Sequence, residues 1–133
     1  MKPDLSWVLN DVLQVRGARH AILVSADGLL LERSTDIGRD DAESMAAAIS
    51  SMQSLSRVLA PFVAAGRGQW DQTLIEYDGG WIFLIAAGSE AYLAASAAKD
   101  VDMEAMSFRM QQQVSALRKT MSTSPRENVG TDA

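Results

Sequence analysis

The residue types that most often carry catalysis are scarce in this chain of 133 residues. It contains one histidine, His20, and no cysteine. Nucleophilic catalysis commonly pairs a Ser or Cys with a base such as His, and zinc sites are built largely from Cys and His side chains. Cysteine nucleophiles and zinc sites of several Cys or His residues cannot be assembled from this composition, and a disulfide framework is excluded as well. Since His20 stands alone at the start of a predicted strand, a structural role is its better interpretation.

The other candidate groups have simpler interpretations. A Ser-Lys pair remains formally possible, with Lys99 in a predicted loop and Lys119 at the end of a predicted helix. The Gly-Arg-Gly segment at 66–68 is not a phosphate-binding loop, because it matches neither GxGxxG nor GxxxxGK[ST] and follows a helix. Asp40 and Asp41 stand where a helix needs a cap, which explains them better than a metal site. The sequence therefore predicts no catalytic, cofactor-binding or metal-binding residue and no cofactor.

The composition is that of a globular protein with an acidic balance. Hydrophobic residues make up 47% of the chain, charged residues 22%, and the net charge is −5. Proteins that bind nucleic acid usually display a basic patch, whereas the Lys and Arg residues here are scattered. We therefore expect protein partners and no nucleic acid.

The sequence also bears on localisation. Its N-terminal segment lacks the apolar stretch of a signal peptide, and no run approaches the roughly 18 apolar residues of a membrane span. We expect a cytoplasmic protein without direct membrane insertion, whose association with membranes would come through its partners.

Apolar periodicity and turn signals predict eight elements in the order α-β-β-α-β-β-β-α. The predicted helices span 4–16, 41–65 and 102–121, and the predicted strands span 20–26, 29–34, 70–77, 81–87 and 91–97. Asp27 and Gly28 form the strongest hairpin signal, and both are expected to have positive φ. Because the connections between strands have hairpin length, the sheet should be mostly antiparallel.

These elements define one domain of the α/β class, of the α+β type. A five-stranded, mostly antiparallel sheet is expected to carry helices on both faces. The domain should span 4–121, and residues 122–133, which have little to bury, should form a disordered C-terminal tail.

The second predicted helix has two features to be tested. Asp40 or Asp41 can cap its start, and Pro61 must kink it or mark a late break, because proline lacks an N–H donor. Its predicted core stripe consists of Met45, Ala48, Ile49, Met52, Leu59 and Val63.

Outside that stripe the second helix is rich in small residues. A solvated face normally carries many Lys and Glu residues, but only Glu43 and Arg57 are charged along the body of this helix. A wide apolar arc beside small residues suits close packing of a second helix; the alternative is a small-residue helix lying flat on its own sheet. The predicted interface residues of this helix are Ala47, Ser51, Ser54, Leu55, Val58 and Phe62.

The third predicted strand mixes apolar and polar residues, as is typical of an edge strand. An unpaired edge is a pairing hazard, and this strand has neither Pro nor Lys to block pairing. Two such edges could pair across a two-fold axis to form a dimer, and the alternative is an edge protected by its shortness. The predicted interface residues of this strand are Trp70, Asp71, Thr73, Ile75 and Tyr77.

Four segments in this order resemble the Roadblock/dynein light-chain family. They are VRGARHAILVSADGLLLERS at 15–34, DDAESMAAAISSMQSLSRVLA at 40–60, GRGQWDQTLIEYDGGWIFLIAA at 66–87 and DMEAMSFRM at 102–110. The likeness covers residues 4–121 and is greatest to bacterial roadblock proteins encoded beside small Ras-like GTPases in actinobacterial conservons. The chain departs from the pattern at Glu104, where many relatives carry Gly.

The resemblance implies a homodimer in which third strand joins third strand and second helix lies beside second helix. It also implies a non-catalytic regulator or scaffold that binds a small Ras-like GTPase on the dimer surface and modulates its GTPase cycle or localisation. The alternative is a structural hub that tethers signalling proteins, such as a sensor kinase or other conservon components, without effect on GTP hydrolysis. A small-molecule sensor domain is a third hypothesis.

Overall fold

The structure, a computed structural model, describes residues 4–63, 70–88 and 90–132, and only the backbone for 121–132. Its elements follow the predicted order, with one short helix added. They are α1 (Ser6–Val12), β1 (Ala18–Ser25), β2 (Leu30–Arg33), α2 (Arg39–Val58), α3 (Ala60–Val63), β3 (Gln72–Tyr77), β4 (Gly80–Ala86), β5 (Ala91–Ala98) and α4 (Met103–Asp132). Predictions that concern residues 64–69, the 66–68 segment among them, lie outside the described residues.

The strands form one five-stranded sheet in the order β2-β1-β5-β4-β3. Every neighbouring pair is antiparallel, which confirms the predicted sheet. The order places β1, β5 and β4 in the interior and leaves β2 and β3 at the two edges.

Helices cover both faces of the sheet and create two hydrophobic cores. Leu23 and Val24, adjacent in β1, are both fully buried, but Leu23 packs in the core beneath α1 and α4, and Val24 packs in the core beneath α2. Successive side chains of a strand point to opposite faces, so an apolar run such as 21–24 suits a strand covered on both sides. We call these two surfaces of the sheet the α1/α4 face and the α2 face.

The first hairpin differs from the predicted two-residue turn. Only Gly28 has a positive φ, of 92°, so the expectation that Asp27 also adopts positive φ is wrong. The Ser25 N–H donates to the Leu29 carbonyl at 2.8 Å, which closes a loop of three residues. Such loops place one residue, usually Gly, in the left-handed region.

The start and end of α2 also differ from the prediction. Gly38 is the N-cap residue and no side chain caps the helix, so Asp40 and Asp41 lie in the first turn and are not caps. Their charge still suits the positive end of the helix dipole. The helix ends at Val58, and Pro61 lies in the separate α3, which confirms the predicted late break.

The core stripe predicted for α2 is largely wrong. The buried residues of α2 are Ala42, Ala46 and Gln53, and Ile49 is half-buried. Met45, Leu59 and Val63, assigned to the core, are exposed. The reason is the position of the helix, which packs over β1 and β2 at one side of the sheet and turns its smallest residues toward them.

The terminal helices have different lengths from those predicted. The first ends at Val12, and Gly17, with φ 95°, lies in the turn before β1. The last begins where expected, with the Asp102 carboxylate accepting a hydrogen bond from the Ala105 N–H at 3.0 Å. It continues to Asp132, so the backbone of 122–132 is helical where the sequence predicts a disordered tail. An existing helix can be extended without a new nucleation step. A segment with few apolar residues can therefore continue the helix, and its composition alone does not predict this.

Among the described residues, no helix is both long and apolar enough to cross a membrane.

Candidate interaction surface

The outer edge of β3 has no strand partner within the described chain. This strand of six residues pairs on one side with β4, in a register that places Ile75 opposite Ile82, and stands last in the sheet. Its free N–H and C=O groups form a template for another strand. The predicted edge position is confirmed.

An apolar groove lies beside that edge, on the α2 face. Since α2 packs over β1 and β2, it leaves the neighbouring part of this face open, with a cavity of about 350 Å³ between the helix and strands β1, β5, β4 and β3. We call this cavity the α2–β3 groove. The side chains that line it are mostly apolar and include Met45, Ala48, Ile49, Met52, Ile75, Tyr77, Ile82, Leu84 and Ala94.

The predicted β3 residues fall into two groups in the structure. Ile75 and Tyr77 line the α2–β3 groove. Trp70 and Thr73 are held within the fold, because the Trp70 Nε1 donates to the Thr73 hydroxyl at 2.7 Å and the Trp70 ring meets Tyr92 edge-on at 5.7 Å between centroids. Asp71 is exposed just before the strand.

The predicted α2 and α3 residues lie elsewhere on the helix. All six are exposed, with Phe62 at 94% the most extreme, but none of them lines the groove. The helix presents Met45, Ala48 and Met52 to the groove instead. The apolar periodicity predicted these three residues as core residues. They do form an apolar stripe on α2, but the stripe lines the open groove.

The end of α2 and the whole of α3 expose a further apolar cluster. Leu55, Val58, Leu59, Phe62 and Val63 are all at least 64% exposed. Isolated apolar residues are common on protein surfaces, but a cluster within nine consecutive positions is typical of a contact site. The cluster and the groove together border the same helix, and they give α2 two apolar flanks that are not covered by the described chain.

Polar groups are few in the groove and gather at its His20 end. The Nδ1 atom of His20 lies 3.2 Å from a carboxylate oxygen of Asp36, in the segment between β2 and α2. Burial acts to raise the pKa of Asp36, but the hydrogen bond from the Ser34 hydroxyl at 2.9 Å and the neighbouring imidazole of His20 outweigh it and hold the pKa below its ordinary value. His20 thus has the structural contact expected of a lone histidine.

The formal Ser-Lys possibility is not realised at Ser96 and Lys99, which stand three positions apart. Ser96 lines the groove on the α2 face. The Lys99 ammonium instead contacts the Glu76 carboxylate and the Tyr77 carbonyl. Among the described residues there is also no cluster of three or more His, Asp or Glu side chains suited to a metal ion.

Comparison with known proteins places this geometry in one family. The family model described as Roadblock/LC7 domain matches residues 6–97. A solved Roadblock/LC7 domain from Streptomyces avermitilis is 30% identical, with 90% of this chain and 99% of that chain covered and a TM-score of 0.83.

Two proteins from Myxococcus xanthus share the fold. MglB is 16% identical over 90% of this chain and 95% of its own, with a TM-score of 0.81. MglC is 12% identical over 87% of this chain and 98% of its own, with a TM-score of 0.60. No curated protein matches the sequence. The family match and the Streptomyces domain confirm the resemblance on which the sequence prediction rests, and the chain belongs to the Roadblock/LC7 domain family.

Proposed function

We propose that the chain is a homodimeric, non-catalytic regulator or scaffold that binds a small Ras-like GTPase and modulates its GTPase cycle or its localisation. The observation that carries the proposal is that two uncovered surfaces adjoin each other at the same side of the sheet. One is the open edge of β3, and the other is the apolar α2–β3 groove. Members of the family are regulatory or structural proteins and not catalysts, which supports a role through contacts.

Self-association joins the two surfaces into one interface. Pairing of β3 with β3 of a second copy across a two-fold axis satisfies the free backbone groups of both edges. The same operation brings the open part of each α2 face next to the other, so that the second helix of one copy approaches the groove of the other. The flank of α2 that carries Met45, Ala48 and Met52 is the one that borders this approach.

A small Ras-like GTPase is the proposed partner because bacterial roadblock proteins resembling this chain are encoded beside such GTPases. The exposed cluster Leu55, Val58 and Phe62, outside the groove, offers a second apolar surface for that contact. A non-catalytic regulator acts on the machinery of its partner, and the chain needs no catalytic residue of its own for this role.

The proposal is tested with the Ras-like GTPase encoded beside this chain. The mass of the chain in solution is measured first, and a dimer is expected. The chain is then titrated with the GTPase loaded with GDP or with a non-hydrolysable GTP analogue, and GTP turnover is measured at saturation. Nucleotide-dependent binding supports the proposal, and absence of binding in both nucleotide states contradicts it. Binding with unchanged turnover and an unchanged location of the GTPase would favour the structural hub instead.

A matched pair of variants separates the contact surfaces. Val58→Arg places a charge in the exposed cluster of α2, and Phe108→Arg places the same charge on an apolar side chain of α4, which covers the opposite face of the sheet. Val58→Arg should weaken GTPase binding or self-association, and Phe108→Arg should weaken neither.

A further inference from the structure

Lys99 connects three strands at the end of the sheet where β3 turns into β4. It directly follows β5, and its ammonium lies 4.7 Å from the centroid of the Trp81 ring in β4. The same ammonium forms an ion pair with Glu76 and donates to the Tyr77 carbonyl at 3.1 Å, both in β3. Trp81 returns the contact, since its Nε1 donates to the Lys99 carbonyl at 3.1 Å.

The strand held by this lysine has little other support. The extensive contacts of β3 within the described chain are with β4, whereas the helices pack mainly on other strands. Leu74 and Tyr77 in β3 are each about half exposed, at 51% and 50%. Without additional restraints, such a strand can vary in twist and fray at its end, and this freedom would be lost on pairing with another strand.

The restraint acts where the edge and the groove meet. Tyr77 contributes its carbonyl to Lys99 and its side chain to the lining of the α2–β3 groove. Glu76 lies opposite Trp81 in the β3–β4 ladder, so the ion pair and the ring contact act on one cross-strand pair. The contacts of Lys99 therefore restrain the last two residues of the proposed pairing edge, Tyr77 through its main-chain carbonyl and Glu76 through its side chain.

We infer that Lys99 is a positioning residue for self-association, which holds β3 in the shape that a second copy of the chain binds. This inference rests on the proposed homodimer. Its physical basis is preorganisation, because an edge that is already ordered loses less conformational freedom when it pairs. The ion pair is exposed, with side-chain exposures of 45% for Lys99 and 57% for Glu76, so its contribution to folding of the single chain is small.

The test is the variant Lys99→Met, which keeps an unbranched apolar stem beside Trp81 and removes the ammonium. Sedimentation equilibrium should give a dimer dissociation constant about tenfold higher than that of the wild type, since the less ordered β3 edge of each monomer then loses more conformational freedom when it pairs. Amide hydrogen exchange along Gln72–Tyr77 is measured at a dilution where both proteins are monomeric. It should be faster in Lys99→Met, while exchange in β1 is unchanged.

Two control variants decide the cause of any change. Lys99→Arg keeps a cation that can lie over Trp81 and pair with Glu76, and it should retain most of the wild-type affinity. Arg19→Met removes the same charge from β1, which is separated from β3 by β5 and β4, and it should dimerise like the wild type.

Each contrary result has a distinct meaning. A wild-type dimer whose affinity and β3 exchange are the same in Lys99→Met overturns the inference and leaves the proposed homodimer intact. An equal loss of affinity in Arg19→Met assigns the effect to net charge and also overturns the inference. A wild-type chain that stays monomeric at every concentration overturns the proposed self-association and this inference with it.

Discussion

The Tyr92 hydroxyl donates a 2.8 Å hydrogen bond to the side-chain oxygen of Gln53, beneath α2. Both residues are almost fully buried, with exposures of 4% for Tyr92 and 3% for Gln53, and they lie in β5 and α2 respectively. A buried amide is stable only when its polar atoms have partners, so this bond favours one rotation of α2 on the sheet. That rotation places Met45 and Met52 beside the groove.

We predict that Tyr92→Phe lowers the free energy of unfolding by about 1–3 kcal/mol, because it leaves the Gln53 oxygen buried without a donor. The ring packing against Trp70 is retained. Combining it with Gln53→Leu should recover part of the loss, since both polar partners are then absent. Urea unfolding of the two single variants and the double variant measures the coupling, and strictly additive losses would contradict it.

We predict that Val58→Arg weakens self-association or partner binding more than it lowers the free energy of unfolding. Val58 is 73% exposed, so a charged side chain there meets solvent in the single chain and an apolar neighbour in a complex. Light scattering and titration with the GTPase give the binding effects, and urea unfolding gives the stability.

Met45→Arg locates the contact on α2 more finely. Met45 is 47% exposed and lines the groove, whereas Val58 does not. We expect Met45→Arg to weaken self-association by at least about tenfold, because it would bury a charge against the second copy. A tight dimer with Met45→Arg, together with a weakened dimer for Val58→Arg, would show that the second copy contacts the flank of α2 that carries Val58 and not the flank that lines the groove.

We predict that Gly80→Ala is strongly destabilising while Gly79→Ala is tolerated. A Cβ added at Gly80 would lie 2.3 Å from the Ala97 carbonyl oxygen in the neighbouring strand, whereas nothing lies within 4 Å of one added at Gly79. Relieving the contact at Gly80 requires strand β4 or β5 to shift, at a cost of about 1–3 kcal/mol or more. Thermal unfolding of the two variants compares the same added methyl group at adjacent positions, and equal midpoints would contradict the expectation.

The sequence predicted the strand order along the chain and the doubly covered sheet because those features are local. The run from Ala21 to Val24 is apolar at every position, which only burial on both faces explains. The hairpin at Gly28 was found for the same reason, but its loop length was not. That length depends on the β1–β2 register, which shifts between Leu23 and Val24.

The rotation of α2 was beyond the reach of local periodicity. This helix carries apolar or small residues around most of its circumference, so several stripes fit a helical repeat equally well. The bond between Gln53 and Tyr92 joins residues 39 positions apart and favours the observed rotation. Gln53 was overlooked because a polar residue in a helix is ordinarily exposed. The candidate groove follows from that rotation and could not be predicted without it.

The contact of Asp36 with Ser34 and His20 predicts a specific acid sensitivity. Its pKa is held below its ordinary value of 3.8, so the folded protein keeps this carboxyl ionised at a pH where the unfolded chain protonates it. The resulting stabilisation is fully present above the unfolded value and is lost as the pH falls through the lower, folded value. Asp36→Asn should therefore flatten the dependence of unfolding free energy on pH below about 4. The measurement is urea unfolding of both proteins from pH 3 to pH 7. The matched control Asp27→Asn shows whether loss of another exposed carboxylate has the same effect. Parallel stability curves for Asp36→Asn and the wild type throughout the acid range would contradict the proposed role of this contact.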